Sequence, residues 1–81
     1  MNLSQKYKLE FILCAYNTSL QSVRNSLAEF GDNLDISDSS VVGGKGKDFS
    51  VIMSTEDPAL VFDICSQFGR IRSVKIDEEN K

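Results

Sequence analysis

Between Tyr7 and Ala15 the chain alternates with period two, and this run limits the possible folds more than any other feature. Tyr7, Leu9, Phe11, Leu13 and Ala15 fall on one side; Lys8, Glu10, Ile12 and Cys14 fall on the other. Nine residues of alternation make a strand with one large apolar face. That face needs a second layer to cover it, and the rest of the sequence must supply the cover.

The next segments do so. Asn17-Thr18-Ser19 breaks the alternation. Thr18 reads as an N-cap, with Gln21 three residues later completing a capping box. Leu20, Val23, Leu27 and Phe30 then recur at helical spacing, and Gly31 is the expected left-handed stop. Leu34 and Ile36 open a second strand. Its Asp and Ser content marks it as an edge strand, and Val41-Val42 read as its continuation past an irregularity. Gly43 to Asp48 is a hairpin tip, and Phe49, Val51 and Met53 alternate as a third strand. Asp57-Pro58 places an acidic N-cap before proline at the first helical position. Val61, Ile64, Cys65 and Phe68 form that helix's stripe, which Gly69 ends. Val74 and Ile76 make a last strand, entered at Ile71, and the residues from Asp77 onward read as a solvated tail.

The order is βαββαβ. It predicts a ferredoxin-like α+β sandwich: a four-stranded antiparallel sheet in the order 4-1-3-2, with both helices on one face. The chain has 81 residues, 41% of them hydrophobic, enough for one core and not two. We therefore read residues 1–81 as a single domain with flexible ends at 1–6 and 77–81. The sheet's other face is then open, and Lys8, Glu10, Ile12, Cys14, Ser50, Ile52, Ser54, Ser73 and Lys75 are expected on it.

This open face and the loop after the first strand narrow the function. Phe68-Gly69-Arg70-Ile71-Arg72-Ser73-Val74-Lys75-Ile76 resembles part of an RNA-recognition motif. The resemblance implies phosphate contacts from Arg70, Arg72 and Lys75, with Lys45 and Lys47 at the hairpin tip. Such modules stack bases on aromatics of the central strands, and here those positions hold Ile12, Cys14, Ser50 and Ile52. The net charge is −3, so nucleic acid is an unfavoured partner. There is no histidine, so the usual base near neutral pH is missing. The glycine-lysine tip lacks the strand-then-helix setting of a phosphate-binding loop. No enzyme activity, cofactor or metal site is expected. The two cysteines, Cys14 and Cys65, should lie on opposite sides of the sheet, too far apart to share an ion or a disulfide.

The element order from Tyr7 to Ile76 resembles ACT domains, small regulatory modules that bind amino acids, as does the corner Phe30-Gly31-Asp32-Asn33-Leu34-Asp35-Ile36. The resemblance implies a small anionic metabolite or amino acid as ligand. The N-terminus of the first helix, with Asn17, Thr18, Ser19 and Ser22 around it, is the place where a carboxylate would bind. Ile12, Cys14 and Ile52 are the candidate interface of a homodimer, and an edge strand is a second way to hold a protein partner. The longest apolar run, Phe11 to Ala15, is far short of the roughly 20 residues needed to span a bilayer. The first residues lack a signal core. A cytoplasmic regulatory or adaptor domain is the expectation.

Overall fold

The computed structural model describes residues 5–16, 18–39 and 47–78. Its elements are β1 (Tyr7–Ala15), α1 (Leu20–Leu27) with a 3-10 turn at Ala28–Phe30, β2 (Asp32–Asp38), β3 (Lys47–Thr55), α2 (Pro58–Ser66) and β4 (Gly69–Glu78). The sheet order is β2-β3-β1-β4, which is the expected 4-1-3-2 read from the other edge. All three strand pairs are antiparallel. The alternating strand therefore sits in the middle, paired to β3 along its whole length from Tyr7↔Thr55 to Ala15↔Lys47.

That pairing builds the core. Leu9, Phe11, Leu13, Phe49, Val51 and Met53 all point to the helix layer and are buried. Val23 and Leu27 of α1 and Val61 and Cys65 of α2 close over them. Burying each of the larger side chains contributes about 1.5–3 kcal/mol. Phe62 adds an edge-on contact to Phe11, with ring centroids 5.5 Å apart. Cys65 is a core hydrophobe, as its place in the helical stripe implied, and burial pushes its thiol up to about 12.

Several local expectations are corrected. The N-cap of α1 is Ser19, not Thr18: Ser19 Oγ accepts from the Ser22 amide at 3.2 Å. Asp57 does cap α2, with its Oδ1 accepting from the Leu60 amide. Neither glycine acts as a left-handed stop. Gly31 is extended, and its missing side chain lets the chain pass the Ser54 carbonyl, which a Cβ would meet at 2.2 Å. Gly69 is already the first residue of β4, and a Cβ there would lie 1.9 Å from the Cys14 carbonyl. β4 also runs past Ile76 to Glu78, which pairs with Tyr7. Val41-Val42 and residues 43–46 of the tip lie outside the described residues, whereas Lys47 and Asp48, read as part of that tip, already belong to β3.

Gly69→Ala should therefore destabilise the protein by about 1–3 kcal/mol, because backbone must move to admit one methyl; urea unfolding measures this. Cys65 gives a pH signature. Its pKa is raised from 9.0 to about 12, so its contribution is complete below pH 9 and is lost as the pH climbs toward 12. A Cys65→Val variant should lose less stability than wild type between those limits. Equal slopes for the two proteins would contradict the burial assigned to this thiol.

Candidate functional site

The open face follows from strand register. Residues paired directly across an antiparallel ladder share a face. Lys8↔Ser54, Glu10↔Ile52, Ile12↔Ser50 and Cys14↔Asp48 place these eight side chains on the side away from the helices. Ile12, Cys14, Ser50 and Ile52 are half-buried there. The expectation for the two central strands stands, with Asp48 as an addition.

The edge strands add what parity alone does not give. In β4, Arg70 and Arg72 are two apart, but Lys75 has the opposite parity. The pairs Glu10↔Lys75 and Ile12↔Arg72 leave both Ser73 and Val74 in the interval, a β-bulge with Ser73 at φ 57°. One extra residue resets the alternation, so Arg70, Arg72 and Lys75 come to the same face. Ser73, expected on that face as a regular strand residue, instead forms the bulge. β2 repeats the device. Asp32 pairs with Ser54 and Asp35 with Ile52, with Asn33 at φ 55° between them. The open face thus carries a basic column on β4 and acidic residues on β2.

Within it, three side chains meet. Arg72 Nε donates to Cys14 Sγ at 3.2 Å, and Arg72 Nη2 donates to Asp48 Oδ2 at 3.0 Å. Both contacts hold the guanidinium's pKa above its usual value, the Cys14 contact first. Sequence reasoning paired Arg72 with phosphates and missed Asp48, which it placed in the hairpin tip. The signal was available: Asp48 precedes Phe49 by one residue, so extending that strand's alternation backward puts it on the open side. Of the other basic candidates, Lys45 lies outside the described residues, and Lys47 opens β3 opposite Ala15.

The candidate anion site has a different character. Ser19 Oγ both caps α1 and donates to Ser22 Oγ at 3.1 Å. These two hydroxyls satisfy the helix start and each other. Thr18 is half-buried, and Asn17 lies outside the described residues. Cys14 and Cys65 are both free thiols, one on the open face and one in the core, as expected.

Among the described residues no group of three His, Cys, Asp or Glu side chains is placed to hold a metal ion. No helix among them is long and apolar enough to cross a membrane. The molecule is thus a small α+β domain with one helix-covered sheet face and one polar, charge-sorted face. Over residues 4–80 its sequence matches the family of FakA-like middle domains, named for the middle domain of a fatty acid kinase component, and the chain belongs to that family. No curated protein matches it. The resemblance to ACT domains stays one of element order, with no family match behind it.

The face assignment predicts thiol reactivity. In the native protein a thiol reagent such as DTNB should titrate one cysteine, Cys14, while Cys65 reacts only after unfolding. A Cys14→Ser variant should then give no native signal. Two reactive thiols in the folded wild type would contradict the assignment.

Proposed function

We propose that this chain is a non-catalytic adaptor domain that serves a fatty acid kinase-type assembly and docks through its open sheet face. The observation that carries this reading is the family match, which groups the chain with FakA-like middle domains. The open face supports it. Half-buried Ile12 and Ile52 sit at its centre on the two strands that the core holds most firmly. Around them lie ion-pairing groups suited to an interface rim, Arg72 with Asp48 among them. The start of β1 and the end of β4 are paired, Tyr7 to Glu78, at one end of the sheet and away from the centre of that face.

Two other readings draw less support. Strand addition at an edge meets a bulge on both β2 and β4, and bulges blunt edges against pairing. Nucleic-acid binding would use the β4 column, but Arg72 is paired with Asp48, Lys75 stands beside Glu10, and Asp77 continues the column. No aromatic ring lies in the central positions for bases to stack on.

The partner we favour is a second copy, face to face. A two-fold axis parallel to the strands lays the basic β4 column over the acidic β2 of the copy. An axis across the strands lays β4 on β4 and is repulsive. The apolar centre is small and the charges are many, so the association should be weak and sensitive to salt. Sedimentation velocity over a concentration series tests it. Wild type should approach a dimer at low ionic strength and dissociate at high; Ile52→Asp should remain monomeric throughout. If wild type also stays monomeric at every concentration and salt level, the open face does not join two copies.

A further inference from the structure

A separate cavity lies at the far end of the sheet from the start of α1. It has a volume of about 310 Å³ and opens between the corner leading into β2 and the corner leading into α2. That is the lower end of the range for small-ligand pockets. Its floor is polar and rigid. Ser54 and Thr55, 3% and 2% exposed, are the buried polar residues of the described chain, and both line it. Thr55 Oγ1 donates to the Phe30 carbonyl at 2.7 Å and accepts from the Asp57 amide at 3.1 Å, which ties the two corners together. Gly31 closes against the Ser54 carbonyl, where no Cβ would fit. The hollow is therefore preformed.

Its walls are apolar. Phe30 and Leu60, 36% and 38% exposed, both line it, although neighbouring hydrophobics of their helices are buried. Its rim is acidic, with Glu29, Asp32, Glu56 and Asp57 facing one cation, Lys6. Asp32 holds Lys6 at 2.7 Å, and Asp57 caps α2. Glu29 and Glu56 have no ion-pair partner among the described residues. A carboxylate or phosphate ligand would meet net negative charge there. A bare metal ion would lack three converging ligands and would leave the apolar walls uncovered.

We propose that this cavity binds a small aliphatic amine. The ammonium sits between Glu29 and Glu56, and the methylene stem lies along Phe30 and Leu60. A free diamine and a lysine side chain share this chemistry. The proposal is separable from the open-face reading: Asp32 and Ser54 border both, but Glu29, Phe30, Glu56 and Leu60, which carry the ligand contacts, lie outside the four strands.

Amide NMR on the full chain tests it, with 1,5-diaminopentane, N-acetyl-lysine methylamide and, as uncharged isostere, 1,5-pentanediol. Ammonium chloride at matched ionic strength controls for salt. Saturable shifts at Gly31, Thr55 and Asp57 are expected with the amines and not with the diol. The double variant E29Q/E56Q should keep the wild-type spectrum and bind about tenfold more weakly. Tighter binding of the diamine assigns a free amine as the natural source, and tighter binding of the lysine derivative assigns a protein side chain. The proposal is overturned if no saturable shift occurs. It is equally overturned if shifts spread over remote carboxylates such as Asp35 and Asp63, or if the double variant binds as well as wild type.

Discussion

The ladder between β1 and β3 is the constraint on which everything else rests. It runs unbroken from Tyr7↔Thr55 to Ala15↔Lys47, and it fixes which side each residue of both strands presents. A slip of one residue would carry Leu9, Phe11 and Leu13 to the solvent side and Glu10 into the core, at a cost no other interaction here could offset. The apolar pattern thus enforces the register, and the register enforces the faces. The helices add the cover. α1 and α2 each contribute two fully buried residues, and the Phe11–Phe62 contact locks α2 over β1.

The two outer strands obey a looser rule. Each is held on one side only, so each can admit an extra residue without tearing the core. Both do, at Asn33 and Ser73, with the backbone in the left-handed region that costs a non-glycine residue something of order 1 kcal/mol. The bulges have a chemical result besides blunting the edges. They shift Arg70 and Arg72 into line with Lys75, and Asp32 into line with Asp35. A surface sorted by charge emerges from a chain whose charges are not sorted in sequence. That sorting gives the open face a direction and makes one mode of face-to-face pairing better than the other.

The cavity shows the same principle at the sheet's end. Its residues come from three separate stretches of chain: Lys6, the corner from Glu29 to Asp32, and the run from the end of β3 into α2. They meet because Thr55 bridges Phe30 and Asp57 and because Gly31 has no side chain to hold the strands apart. Phe30 belongs to the helical stripe by spacing. The 3-10 turn at Ala28–Phe30 tightens that last turn and leaves its ring at the cavity instead of in the core.

The sequence alone determined the element order, the sheet order, the buried faces of β1 and β3, the Asp57 cap and the separation of the two thiols. Each depends on a period or a local residue preference that a linear pattern records. Only the tertiary structure decided the rest. The choice of Ser19 over Thr18 as cap depends on where β1 releases the chain. The roles of Gly31 and Gly69 depend on carbonyls of residues distant in sequence, Ser54 and Cys14. The alignment of Arg70, Arg72 and Lys75, the capture of Arg72 by Asp48 and the acid-rimmed cavity all arise from register shifts and cross-chain contacts. Periodicity carries no record of these, because an inserted residue changes a strand's phase without changing its composition.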